Sequence, residues 1–455
     1  MTMVQDLAAF VAGAAYGDLS EGAREAVRVR LLDSLGCAFG AVGADVPRMV
    51  REQVEDSGGL PHCALIGGGR SAPDLAALSN GALVRYLDFN DSYLAPKETC
   101  HPSDTIAPVL AAAEYASASG RDLMAAIAAA YQVQCCLSDL APVRARGFDH
   151  TTQGAYGVAA GVSRALGLDA DRTANAVAIA GTTLNALRVT RTGALSHWKG
   201  LAFPFTSFGA TAAAFLAMRG ITGPPEVFEG NKGFMDAIAG PFEIDWSKES
   251  LEAITQTVLK RYNAEVHSQS ALEGILALRD EHGFGGDEVE AIELKTFDVA
   301  FNIIGGGEEG EKTTVRTKEE ADHSLPYLLA VAVLDGGVMP EQYGPQRISR
   351  GDVQSLLRKV SVREDPELSK RFPAEMPARL SVRLRDGREL HTEKSGYEGF
   401  TTRPMSWETA LAKFGQLSRG VDHGLSKEIV DAVASLDDID AADLATLLER
   451  VRKGE

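Results

Sequence analysis

The chain has 455 residues, which exceeds the size at which one hydrophobic core keeps growing, so two domains are expected. Its net charge of -18 argues against a nucleic-acid or membrane-surface partner, because phosphate binding needs a clustered positive field. The hydrophobic fraction of 45% is ordinary, and no uninterrupted apolar run is long enough to span a bilayer. Both features are typical of a globular protein outside the membrane.

The first part of the chain, to about residue 260, predicts helices. Its start, MTMVQDLAAF, lacks the basic n-region and apolar core of a signal peptide, so we expect a cytoplasmic protein. Apolar residues then recur at helical spacing, as in 21–43, 71–87 and 121–137. The segment 160–181, rich in alanine and glycine, indicates helices that pack closely through small residues.

The sequence changes character after about residue 270. Apolar and polar residues alternate strictly in 291–296, 357–363 and 378–393, which predicts strands, and Asp386-Gly387 is a hairpin turn signal. Helical spacing returns in 405–417 and 426–436. We therefore predict a mainly α protein with a large all-helical domain formed by both chain ends, residues 1–268 and 400–455. A smaller inserted α/β domain is predicted for residues 269–399.

Four polar clusters interrupt the helical pattern. The densest is DFNDSYLAPKETCHPSD at 88–104, and the others are RARGFDHTTQG at 144–154, SHWKG at 196–200 and NAEVHSQS at 263–270. His101, His150 and Lys199 stand where a helix is expected to begin. Helix N-termini carry free N–H groups and a positive dipole end, so histidine and lysine there favour a carboxylate ligand. For each residue alone, an ordinary structural role remains an alternative.

Other kinds of chemistry find little support in the sequence. There is no His-x-x-x-His, HExxH or Cys-x-x-Cys spacing, and the five cysteines fit neither an iron–sulfur centre nor a disulfide framework. The glycine-rich segments lack the Gly-Lys-Ser/Thr ending of a phosphate loop, and no Gly-x-Ser-x-Gly elbow is present. We therefore predict no metal site and no cofactor, which leaves acid/base chemistry.

Several of these stretches together resemble one known family. The matches are YLDFNDSY (86–93), HPSD (101–104), GFDHTT (147–152), SHWKG (196–200), EADHSLPY (320–327) and PMSW (404–407). On these motifs, spread over nearly the whole chain, the sequence resembles the MmgE/PrpD family. Members of that family include 2-methylcitrate dehydratase, cis-aconitate decarboxylase and an iminodisuccinate epimerase.

The resemblance implies a fold, an assembly and a set of site residues. It implies a helical domain built from both chain ends with a smaller α/β lid domain, in a homodimer that needs no metal. Residue by residue, it assigns catalytic roles to Asp88, His101, His150 and Lys199 and substrate binding to Ser92, Asp91 and His267. Ser92 stands where the family often has threonine, and Asp91 is either a second acid or a structural acceptor.

The resulting hypothesis is a cofactor-independent hydro-lyase that dehydrates a small anionic substrate, a citrate-like tricarboxylic hydroxy acid. The resemblance to 2-methylcitrate dehydratase would place it in propionate metabolism. Decarboxylation of the cis-aconitate type and epimerisation of a substituted succinate remain alternatives, because all three pass through charge at a carbon next to a carboxylate. A non-catalytic dicarboxylate-binding protein is an alternative of another class. The sequence does not decide which histidine is the base.

Overall fold

The computed structural model describes residues 1–193 and 195–454 and divides the chain into two compact units. The helical unit comprises Met1–Arg191, His197–Val258 and the chain from Ser406 onward. The mixed unit comprises Leu259–Met405 and the described residues of 192–196. The prediction of a mainly α protein, with helices from both chain ends and a smaller α/β part between them in sequence, is confirmed.

The helical unit consists of twelve α-helices and two short hairpins among the described residues. Its helices are α1 Met3–Gly13, α2 Glu21–Ala41, α3 Asp45–Ser57, α4 Pro73–Tyr86, α5 Ile106–Tyr115, α6 Gly120–Leu140, α7 Thr151–Ala165, α8 Ala170–Thr183, α9 Trp198–Met218, and, from the C-terminal part, α17 Trp407–Leu417, α18 His423–Ala434 and α19 Ala441–Glu449. The hairpins pair β1 Cys63–Ala64 with β2 Arg70–Ser71, and β3 Tyr93–Ala95 with β4 Glu98–Cys100.

Close helix packing through small residues, expected from the composition, determines where α7 lies. A Cβ added at Gly161 would come within 2.6 Å of the Ala130 Cβ on α6 and 2.7 Å of Val109 on α5. One at Gly157 would lie 3.0 Å from the carbonyl oxygen of Ala130. These close approaches fix α7 against α5 and α6, and with it His150, the residue that precedes α7.

Among residues 1–193 and 195–454, two helices have the length and hydropathy of a membrane span, α6 and α9. Their most apolar windows are 83% and 56% buried inside the protein, and core helices of soluble proteins satisfy the same criteria.

The mixed unit contains a four-stranded sheet and a long apolar helix. Its elements are α10 Gln269–His282, β5 Val289–Thr296, α11 Asp298–Ala300, α12 Lys318–Ala321, α13 Leu325–Asp335, α14 Pro345–Ile348, α15 Gly351–Leu356, β6 Val360–Glu364, α16 Pro366–Ser369, β7 Ala378–Leu384 and β8 Glu389–Lys394. The strand order is β6-β5-β7-β8, with β5 parallel to β6 and the other pairs antiparallel. The predicted turn connects β7 and β8, and its Gly387 has a φ of 91°, which favours glycine.

Candidate active site

The loop between α4 and α5 folds as a small hairpin held to the helical unit. Pro96 and Lys97 form the turn between β3 and β4, as the register Ala95 to Glu98 requires. The backbone of Ser92 pairs with that of Val258 through two hydrogen bonds of 2.8 and 2.7 Å. The polar stretch at 88–104 is largely buried and has a defined path.

Asp91 holds this loop together from inside. Its Oδ1 accepts hydrogen bonds from the backbone N–H of Ser103, at 3.0 Å, and from the Ser103 hydroxyl, at 2.6 Å. Its Oδ2 accepts one from the Tyr131 hydroxyl at 2.9 Å, and the residue is fully buried. Burial raises the pKa of Asp91, while the bonds from Ser103 act in the opposite direction. This geometry favours the structural alternative for Asp91 over substrate binding.

His101 is fixed in one tautomer by the same loop. Its Nδ1 lies 2.7 Å from the Asp91 carbonyl oxygen, which can only accept, so Nδ1 carries a proton. The Ser92 hydroxyl oxygen lies 3.2 Å from the same nitrogen. In the neutral ring the lone pair is then on Nε2. Ser92 contributes to the orientation of this imidazole, in addition to the substrate contact predicted for it.

His150 precedes α7 and lies beside His101, with ring centroids 5.3 Å apart and an interplanar angle of 74°. Its Nδ1 is 3.3 Å from the Oδ1 atom of Asp149, which is fully buried. The Nε of Arg191 donates to Oδ2 of Asp149 at 3.0 Å, and Arg188 lies 3.8 Å from that oxygen. Asp149 therefore connects an imidazole with two guanidinium groups.

The surroundings of His150 keep its ring neutral. Burial lowers the pKa of His150 to about 3; Asp149 acts to raise it, and Arg191 and Arg85 lower it further. Burial acts to raise the pKa of Asp149, but the guanidinium groups of Arg191 and Arg188 hold it below its usual value. The Nε2 atom of His150 is buried and has no hydrogen-bond partner among the described residues. The neutral ring of His150 therefore has a buried nitrogen that a bound molecule can meet.

Lys199 and Asp88 form an ion pair in the site. Lys199 lies in the first turn of α9 and is 8% exposed, and its Nζ is 3.5 Å from Oδ2 of Asp88. The other oxygen of Asp88 accepts from Arg85 at 2.6 Å. Asp88 has a φ of 52°, a left-handed backbone conformation that costs free energy and is concentrated at functional sites. Arg191 also donates to the Lys199 carbonyl oxygen at 2.9 Å, so it links Lys199 with the partner of His150.

A buried ion pair supports the loop from the C-terminal part of the chain. Lys413 on α17 donates to the carbonyl oxygen of Phe89 at 2.8 Å and lies 2.7 Å from Asp33 on α2. Its Nζ is also 3.6 Å from the centroid of the Phe89 ring. Phe89 follows Asp88 directly, so α17 helps to define where the Asp88 carboxylate lies.

The structure thus brings Asp88, Asp91, Ser92, His101, His150 and Lys199 together in the helical unit. His267, the seventh predicted residue, lies in the mixed unit, where its Nδ1 is 2.7 Å from Glu265. Among residues 1–193 and 195–454 no group of three His, Cys, Asp or Glu side chains is placed to hold a metal ion.

Sequence reasoning missed four residues that act through the predicted ones: Arg85, Asp149, Arg191 and Lys413. Asp149 and Arg191 did carry a signal, since they lie in or near polar clusters that were singled out. Lys413 carried none, because it lies in an ordinary amphipathic helix pattern and its burial depends on tertiary packing.

Comparison with known proteins identifies the chain's relatives. The model of the MmgE/PrpD N-terminal domain matches residues 5–247, and that of the MmgE/PrpD C-terminal domain matches residues 262–438. Cis-aconitate decarboxylase of Mus musculus is 24% identical, over 98% of this chain and 93% of its own length. 2-Methylcitrate dehydratase of Cupriavidus necator is 27% identical over 81% of this chain and 80% of its own length. The 2-methylcitrate dehydratase of Escherichia coli K12 is 26% identical over 77% of this chain and 75% of its own length.

Proposed function

The chain belongs to the MmgE/PrpD family, and from that premise we propose that it is a cofactor-independent hydro-lyase acting on a citrate-like tricarboxylic hydroxy acid. The relatives named above are a decarboxylase and dehydratases, which supports an enzyme of the lyase class. The observation that carries the proposal is the buried His150, whose Nε2 has no hydrogen-bond partner among the described residues and whose ring lies beside that of His101.

In the proposed reaction His150 is the base. A proton α to a carboxylate is weakly acidic, so its removal needs a positioned base and stabilisation of the enediolate that develops. The Oδ1 atom of Asp149 lies 3.3 Å from Nδ1 of His150, and in the proposed mechanism this carboxylate favours the ring proton on Nδ1, so that Nε2 carries the lone pair. When His150 takes the proton, the ionised Asp149 stabilises the imidazolium that forms. This assignment is our proposal for the question that the sequence left open, namely which histidine is the base.

The remaining groups handle negative charge and the leaving hydroxyl. Lys199, which lies within 3.5 Å of Asp88, would stabilise the enediolate oxygens. His101 in its imidazolium form would give a proton to the departing hydroxyl, which leaves as water while the alkene forms. The local cations Arg85, Arg188 and Arg191 support binding of a polycarboxylate against the overall negative charge of the chain.

The test is a substrate panel with chelator-treated protein. 2-Methylcitrate, citrate, cis-aconitate and iminodisuccinate are incubated separately, and alkene absorbance and carbon dioxide release are followed. We expect absorbance to rise with 2-methylcitrate or citrate without added metal. Release of carbon dioxide from cis-aconitate would contradict the proposed dehydration and support a decarboxylase. Conversion of iminodisuccinate would contradict it and support an epimerase. Activity that chelator abolishes and a metal restores would refute the cofactor-free mechanism.

The matched variants are His150→Gln and His423→Gln. His423 is an exposed histidine of the same unit, at the start of α18, so its replacement controls for the general effect of losing an imidazole. We expect turnover to fall by about 10²- to 10⁴-fold in the first variant and to stay unchanged in the second. Equal turnover in both variants would remove His150 from the proposed mechanism. A homodimer in the cytoplasm is part of the proposal and can be checked by sedimentation and by cell fractionation.

A further inference from the structure

Arg85 on α4 is a buried cation that meets three acceptors from the loop between α4 and α5. Its Nη1 atom donates to Oδ1 of Asp88 at 2.6 Å and to Oδ1 of Asn90 at 3.2 Å. Its Nε atom lies 3.4 Å from Oδ2 of Asp104, and the side chains of this pair are each 2% exposed. Two carboxylates therefore share one guanidinium group, and the first of them, Asp88, also lies 3.5 Å from Lys199.

Asp104 is fixed on its other side by Asn90. The Nδ2 group of Asn90 donates to Oδ1 of Asp104 at 2.7 Å and to the Ser103 hydroxyl oxygen at 2.9 Å. Arg85, Asn90 and Asp104 thus form a closed cycle of contacts, in which each oxygen of Asp104 faces a different N–H donor. An asparagine at position 104 would offer an acceptor to one of these donors and an NH₂ group to the other, so the cycle requires a carboxylate there.

The contact between Arg85 and Asp104 is one of charge. Neither Nε of Arg85 nor Oδ2 of Asp104 has a hydrogen-bond partner among the described residues, so each atom offsets the burial of the other through their attraction. Burial raises the pKa of Asp104 to about 7, against the effect of Arg85. Asp91 also raises it, whereas Asn90 and Arg191 lower it. Above that pH the Asp104 side chain carries the negative charge that Arg85 meets.

Removing the charge of Asp104 would change how Arg85 holds Asp88. A guanidinium group favours two parallel N–H bonds to one carboxylate, so Asp88 would turn both of its oxygens to Arg85. Lys199, whose Nζ is 3.5 Å from Oδ2 of Asp88, would then lose this partner and attract another anion more strongly. The site would also contain one negative charge fewer, and both effects favour the binding of an anion.

We propose that Asp104 is a positioning residue of the site, which occupies the Nε edge of Arg85 and so keeps Oδ2 of Asp88 turned to Lys199. Asp104 acts through Arg85 and Asp88. It limits how strongly Lys199 attracts an anion, because Asp88 neutralises part of the charge of the ammonium group. This inference rests on the proposed function for the identity of the ligand, a polycarboxylic acid.

The test compares Asp104→Asn with two matched variants of the full-length protein. The double variant Asn90→Asp/Asp104→Asn moves the carboxylate to the neighbouring acceptor of Arg85, and so restores the number of negative charges beside that cation. Glu114→Gln is the control, because Glu114 is a buried carboxylate on α5 of the same unit and pairs with Arg70. Thermal melting checks that each variant is folded.

Binding of citrate and of propane-1,2,3-tricarboxylate is measured by calorimetry at about pH 8.5, where Asp104 is ionised. We expect Asp104→Asn to bind about three- to tenfold more tightly than the wild type, and the double variant and the control to bind within about twofold of it. A merely structural role predicts weaker binding, because a damaged site holds its ligand less well. Unchanged or weaker binding in folded Asp104→Asn would therefore overturn the inference.

Crystal structures of the wild type and of Asp104→Asn without ligand give a second readout, which does not depend on the identity of the ligand. We expect Asp88 in the variant to meet Arg85 through both oxygens and to lie farther from Lys199. An unchanged Asp88 would overturn the inference. If the wild type binds and turns over none of the acids, the proposed function fails, and this comparison alone decides the role of Asp104.

Asn90→Asp provides the test if Asp104→Asn does not fold. A carboxylate added beside Nη1 of Arg85 would compete with Asp88 for that cation and leave Asp88 to Lys199. We expect tricarboxylate binding to weaken by about three- to tenfold. Equal or tighter binding in this variant would contradict the role assigned to the charges on Arg85.

Discussion

Replacing Asp149 by asparagine tests the assignment of His150 as the base. The asparagine amide can donate to Nδ1 of His150, which would place the ring proton on Nε2 and remove the acceptor that the mechanism needs. A general base contributes about 10²- to 10⁴-fold to a rate, so turnover should fall by that factor, which is about 3–5 kcal/mol of activation free energy. KM should change little, since Asp149 is buried behind the ring and contacts His150 and the arginines.

The same change also affects stability, and a second variant separates the two effects. Asp149 is fully buried against Arg191, and leaving a buried charge without its partner costs about 3–5 kcal/mol. The double variant Asp149→Asn/Arg191→Gln removes both charges, so it should recover part of the unfolding free energy while turnover stays low. Steady-state kinetics and urea unfolding measure the two quantities. Turnover of the single variant within about threefold of wild type would refute the assignment.

Three further predictions concern neighbouring groups. Lys413→Met leaves Asp33 buried without its partner and should lower the unfolding free energy by about 3–5 kcal/mol, with partial recovery in Asp33→Asn/Lys413→Met, measured by urea unfolding. Arg191→Gln should move the acid limb of kcat/KM to higher pH, because Arg191 lowers the pKa of His150 and the base acts only when neutral. With a pKa of about 3, wild-type His150 should produce no acid limb near pH 6.5. Lys199→Met should lower kcat by about 10²- to 10³-fold. A kcat equal to that of the wild type would show that Lys199 does not stabilise the developing negative charge.

Local sequence patterns predicted the elements and the positions of the site residues along them. Helical spacing and start signals placed His150 directly before a helix and Lys199 in a first turn, and alternation placed β7 and β8 with their turn. These features depend on neighbouring residues, so the sequence contains them directly.

Contacts between distant parts of the chain could not be predicted in this way. Asp149 and Arg191 are 42 residues apart, and Lys413 and Phe89 are 324 residues apart. Whether Asp91 is an acid or a structural acceptor depended in part on Tyr131, which lies 40 residues away on α6. No local rule selects these partners, because each is determined by how the helices pack.

The charges at Asp88 have a consequence for substrate binding. Arg85 holds one oxygen of Asp88 at 2.6 Å, whereas Lys199 lies 3.5 Å from the other, beyond the 2.7–2.9 Å of a strong charge-assisted hydrogen bond. A substrate carboxylate that meets Lys199 therefore competes with the weaker of the two pairs, and Asp88 keeps Arg85 as its partner when Lys199 turns to the ligand. Because Arg191 fixes the Lys199 backbone through its carbonyl oxygen, such a movement is confined to the side chain. The same arginine holds Asp149, so the cation and the base of the proposed mechanism have a common support.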